Sequence, residues 1–109
     1  MPQFNWFYGH QIYYWSDEGK PLEPLHFHIA KEPRKNATKI WILSDGTMKI
    51  EGVTKDLKIT TVNRIMRIMK EYVDDYKKEL ELFFGEKPTY YDLQNYPNFL
   101  RNVRSYAYS

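Results

Sequence analysis

The chain contains no cysteine. Disulfide staples, thiolate metal sites and thiol nucleophiles are therefore excluded, which fits a reducing cytoplasmic setting. It also lacks any run near the ~20 apolar residues that a membrane-spanning helix needs, and Met1-Pro2-Gln3-Phe4 shows neither the basic start nor the apolar stretch of a secretion signal. A membrane partner is not expected. Charge of one sign is scarce: 16 basic and 14 acidic residues leave a formal +2, too little to demand a polyanion, so RNA is allowed without being indicated. With 42% hydrophobic and 28% charged residues in 109, the composition is that of one ordinary globular domain rather than a disordered chain.

What is abundant is aromatic surface, 17% of residues and ten of them tyrosine, a residue suited to interfaces as well as cores. Phe4 to Trp15 is rich in strand formers and broken at Gly9-His10, so it reads as one bent strand or two short paired strands. Ser16 to Pro21 collects turn formers and is expected to be an exposed loop. His26 to Lys31 alternates, Lys31 to Lys39 is a basic loop, and Thr38 to Leu43 resumes strand character. Asp45-Gly46 marks a tight turn into a strand at Met48 to Glu51.

From Thr60 the period becomes helical: Val62, Ile65, Met66, Met69, Val73, Tyr76, Leu80 and Phe83 recur three or four apart. Thr60 or Thr61 is the expected N-cap, and Gly85 with Pro88 is the expected stop, giving about 36 Å of helix if unbroken. The predicted class is α+β: an antiparallel sheet of three to five strands over residues 4–51, packed by one amphipathic helix over 60–84. Residues 1–87 form the domain. Residues 88–109 form a Tyr-rich C-terminal extension whose Phe99, Leu100, Val103 and Tyr106 have the spacing of a short docked helix.

His26-Phe27-His28 stands out chemically. Strand alternation puts both imidazoles on one face, roughly 6.5 to 7 Å apart, and that face is expected to look outward. Three uses compete. As general acid and base, His26 and His28 suit cleavage of RNA, with a cation from Arg34, Lys35 or Lys39 for the developing charge. As metal ligands they need partners, for which His10, Asp17, Glu18 and Glu23 are the nearby candidates. As structural groups they need only hydrogen bonds to backbone or tyrosine. The basic loop beside Trp15 and Trp41 offers charge and stacking for a single-stranded nucleic acid, and a solvated hairpin loop explains it equally well. Met66 and Met69 read as core, and the carboxylates of the helix as surface ion pairs.

Gly9 ahead of an aromatic strand, an acidic turn, Pro24-Leu25-His26-Phe27-His28, Lys39-Ile40-Trp41 and the long helix together resemble the small bacterial proteins of domain-of-unknown-function family 4160. The signature of that family is Pro-Pro-His-x-His, and Leu25 stands in place of its second proline. The resemblance spans roughly residues 1–86 and singles out His26 and His28. It implies no established activity, but a frequent place beside another small protein in toxin-antitoxin-like pairs.

The first expectation is therefore a small interaction module, bound to a protein encoded nearby or to its own copy, with Tyr90, Tyr91, Tyr96, Phe99 and Tyr106 as contact residues. The alternative is an RNA-binding protein or metal-independent ribonuclease working through His26 and His28, with Trp15, Arg34, Lys35, Lys39 and Trp41 holding the ligand. A metal-binding domain is the third reading, and no resident cofactor or metal is expected.

Overall fold

Five strands, each hydrogen-bonded to the next, make an antiparallel meander in the order β1 (Gln3–Phe7), β2 (His10–Tyr13), β3 (His26–Ala30), β4 (Thr38–Ile42) and β5 (Met48–Glu51). A helical layer follows: α1 (Ile59–Met69), a 3-10 turn (Lys70–Tyr72) and α2 (Val73–Phe84). The structure, a computed structural model, describes residues 2–18 and 22–93. The architecture is the predicted sheet followed by helix.

The turns follow from their residues. β1 and β2 are two paired strands rather than one bent one, because Tyr8 and Gly9 both take positive φ, 52° and 74°, the two-residue hairpin geometry that matches strand twist. Asp45 carries the β4–β5 hairpin by accepting from both the Thr47 amide and the Thr47 hydroxyl. Gly85 ends α2 in the left-handed region, φ 75°, with its N–H on the Glu81 carbonyl.

One expectation about the helix changes, and the condition that it run unbroken is not met. Neither Thr60 nor Thr61 caps it. The N-cap is Lys58, in extended backbone and with no side-chain cap bond. The helix is also interrupted at Lys70–Tyr72, where Tyr72 leaves the helical well at φ −107°, ψ 5°. Despite the break, Val62, Ile65 and Met69 of α1 and Tyr76 and Leu80 of α2 all bury into the same core. Phe83 stays half-exposed at the end of that stripe.

Alternation separates the two sheet faces. Ile12 with Ile29, and Phe27 with Ile40 and Ile50, face the helix. On the opposite face one row runs Tyr13, His28, Lys39, Glu51 across four strands, and a second runs His26, Trp41, Lys49. The helix covers the first face only, so this polar face has to be covered by loops.

Candidate functional site

His26 and His28 do share a face, with ring centroids 5.1 Å apart, but that face is not open. Their exposures are 5% and 4%, which corrects the outward-looking pair expected from alternation. Alternation sets only the side of the sheet, and tertiary packing decides what then covers it. Here Trp41 packs edge-on against His26 at 5.3 Å, and Tyr13 stacks on His28 at 5.4 Å.

Glu18 supplies the rest of the cover, from a segment read as an exposed loop in which Ser16 and Asp17 are exposed and residues 19–21 lie outside the described ones. Ser16–Glu18 forms a 3-10 turn in which the Glu18 side chain reaches back to the Trp15 N–H, Oε1 accepting at 2.7 Å, as in one half of a capping box. That bond turns the other carboxylate oxygen toward the sheet. Oε2 lies 2.8 Å from His26 Nε2 and 3.2 Å from His28 Nε2. Burial alone would raise the Glu18 carboxyl, but the hydrogen bonds from His26 and then His28 outweigh it and hold the group well below the usual carboxylate range. On its far side the His26 ring donates from Nδ1 to the Pro24 carbonyl at 2.8 Å. His28 Nδ1 is buried with no partner among the described residues.

Glu18 and His28 form part of the wall of a cavity of about 730 Å³, together with Trp15, Asp17, Glu23, Lys35, Lys39 and Glu51. Its lysines are already engaged. Lys35 pairs with Asp17 at 2.6 Å and sits 4.7 Å over the Trp15 ring, while Lys39 pairs with Glu23 at 3.0 Å and sits 4.2 Å over Trp41. Among the described lining groups four carboxylates face two ammonium groups, so the cavity favours positive charge.

The residues expected at this site divide. Trp15, Lys35, Lys39 and Trp41 surround the histidines. Arg34 does not join them: its guanidinium pairs with Asp56, and its backbone is held by the Tyr13 hydroxyl at the sheet end. Of the extension, Tyr91 stacks on Trp41 at 4.7 Å, and Tyr90 packs on the core with Lys77 over its ring. Tyr96, Phe99 and Tyr106 lie outside the described residues. Sequence reasoning passed over Tyr13 and gave Glu18 no more than a place among candidate ligands. The spacing from Trp15 to Glu18 was the available signal, since a glutamate three residues after a cap position commonly folds back on it.

A five-stranded meander with one helical layer, and with two buried histidines and a partly buried glutamate on the face opposite the helices, defines the class of this protein: a small α+β domain with a polar centre. The family follows from the matched span. The sequence model of a family described as a domain of unknown function (DUF4160) matches residues 9–81, and the chain belongs to that family. The span includes Glu18, His26 and His28, and it ends inside α2. No curated protein and no solved structure matches the chain.

Proposed function

We propose that the chain is a small interaction module, one half of a toxin-antitoxin-like pair, and that the second protein docks on the polar face of the sheet. The observation that carries this reading is the cavity of about 730 Å³ on the face that the helix leaves free. Its surroundings mix rings with charge, as recognition surfaces do: Lys35 over Trp15, Lys39 over Trp41 and, along the same face, Lys49 over Tyr91. The excess of carboxylates among the described lining residues suits a partner that presents lysine or arginine side chains.

The ribonuclease alternative has less support. Both nitrogens of His26 are engaged, by Pro24 and Glu18, which leaves that ring no free nitrogen for proton transfer. The carboxylates around the cavity would also repel a phosphodiester.

Co-expression with the small protein encoded beside it tests the reading. The two are expected to co-elute on size exclusion, and the double change Asp17→Lys, Glu51→Lys, at exposed rim positions, is expected to weaken the complex at least ~10-fold while leaving circular dichroism unchanged. Separate elution of the wild-type proteins at micromolar concentration sinks the docking proposal. Loss of cellular RNA on expressing the chain alone would restore the nuclease alternative.

A further inference from the structure

Both ring nitrogens of His26 face oxygen. Nδ1 meets the Pro24 carbonyl at 2.8 Å, and a carbonyl can only accept, so this nitrogen carries a proton and Nε2 is the lone-pair nitrogen of the neutral ring. That lone pair points at Glu18 Oε2, itself an acceptor, 2.8 Å away. Two acceptors at this distance repel unless a positive centre joins them, either a second proton on the ring or a metal cation. His28 brings a third ligand atom to the same place, its Nε2 lying 3.2 Å from that carboxylate oxygen. All three ligand atoms fall within 4.8 Å of one another.

We propose that Glu18, His26 and His28 form a site for a divalent transition-metal ion of the zinc type. Metal–ligand bonds of about 2.0–2.1 Å in a tetrahedral shell place neighbouring ligand atoms ~3.3 Å apart. The carboxylate oxygen stands at 2.8 and 3.2 Å from the two nitrogens and no two of the three ligand atoms are more than 4.8 Å apart, so a modest rearrangement of the side chains brings all three to that spacing.

The surrounding groups orient two of the three ligands. A histidine that donates from its other nitrogen to a backbone carbonyl, as His26 does to Pro24, is held as metal-bound imidazoles usually are. Glu18 is held through Oε1 by the Trp15 amide, which leaves Oε2 for the ion. His28 lacks such a support, because its buried Nδ1 has no partner among the described residues. That deficiency weakens the site by about 10- to 100-fold relative to one with a complete outer shell.

Ligand chemistry narrows the ion. Two imidazoles and one carboxylate, with no thiolate anywhere in the chain, suit Zn²⁺, Co²⁺ or Ni²⁺ better than the all-oxygen preference of Ca²⁺ and Mg²⁺ or the sulfur preference of Cu(I). The carboxylate excess of the adjoining cavity raises the local concentration of any cation. Because Glu18 and His28 line that cavity, a bound ion has a coordination position facing it for water or a ligand group.

The test uses the full chain without an affinity tag, stripped with a chelator, and contains no partner protein, so its failure leaves the docking reading untouched. Zinc sulfate titrated in a calorimeter is expected to bind at one ion per chain. Co²⁺ is expected to give visible absorption bands that Zn²⁺ displaces. Glu18→Gln, which keeps the shape of the side chain and loses its charge, is expected to weaken zinc at least ~10-fold. His10→Gln is expected to leave affinity unchanged, since that ring is bound to the Tyr8 carbonyl outside the cluster. Nitrogen-15 spectra of the wild type read the ligands directly: zinc must move the Nε2 resonances of His26 and His28. The proposal is overturned if the folded wild type takes up no zinc, if Glu18→Gln binds with wild-type affinity, or if zinc moves only the His10 ring.

Discussion

Tyr76 links the helical layer to the strand that carries the histidines. It is wholly buried, and its hydroxyl donates to the His26 carbonyl at 2.5 Å. Burial, with the Glu18 charge second, holds its phenol well above 10. Tyr13 and Tyr14 are likewise raised, each by burial first. For Tyr13 the backbone of Arg34 works in the opposite direction, and for Tyr14 the charge of Glu79 adds to the rise. A phenol whose value is higher in the folded state contributes stability that is fully present below its unfolded value, near pH ~10, and is lost as pH rises toward the folded value. The phenolate absorbance of these three rings is therefore expected to appear together with loss of the near-ultraviolet circular dichroism signal, in one cooperative alkaline step. Ionisation of all of them before any loss of tertiary signal would show that they are not buried as described. Composition made tyrosine conspicuous, but alternation says only that Tyr13 and Tyr14 face opposite ways. Which of them meets the helix and which meets His28 depends on layers that no local pattern encodes.

Helix boundaries show how far local rules reach. The left-handed stop at Gly85 was legible because few other residues tolerate that φ, and the β4–β5 turn was legible because Asp45-Gly46 makes it almost alone. The start does not follow its local signal. Thr60 and Thr61 have the hydroxyl that a cap needs, yet the chain enters the helix earlier, at Lys58, because Leu57 is drawn into the core and sets the direction of approach. Neither threonine side chain is then at the cap. Thr60→Ala and Thr61→Ala are each expected to change stability by less than ~0.5 kcal/mol, as for ordinary surface positions. A true cap would cost about 1 kcal/mol on the same change. Urea midpoints at constant slope separate the two outcomes. The turn at Ser16–Glu18 failed to be legible for a related reason. Its residues specify that the chain bends there, and the single bond from the Trp15 amide to Glu18, rather than composition, decides that the carboxylate points inward.

Across the whole molecule, the two sheet faces are closed by different means, and this is where the extension beyond α2 matters. One face has the helical layer of α1 and α2. The other is closed by separate pieces, of which the segment through Thr89 to Asp92 is one. The Leu25 amide donates to the Thr89 carbonyl at 2.7 Å, the Ser44 amide and hydroxyl both donate to the Asp92 carboxylate, and the Tyr91 ring lies flat on Trp41. Trp41 in turn is the wall against which His26 rests. The side chain of Tyr91, with Lys49 over its ring, is thus one layer of a stack that ends at the histidines, and Trp41 is only 6% exposed beneath it. Tyr91→Ala removes that layer without touching the sheet. It is expected to cost about 1–2 kcal/mol, toward the low end for loss of an aromatic side chain because the ring is only half-buried, and to raise the fraction of tryptophan fluorescence quenched by acrylamide. Trp6, half-exposed in the wild type, supplies the accessible baseline for that measurement. Unchanged quenching together with unchanged stability would mean that Trp41 is shielded by something other than Tyr91, and that the extension is not part of the wall around His26.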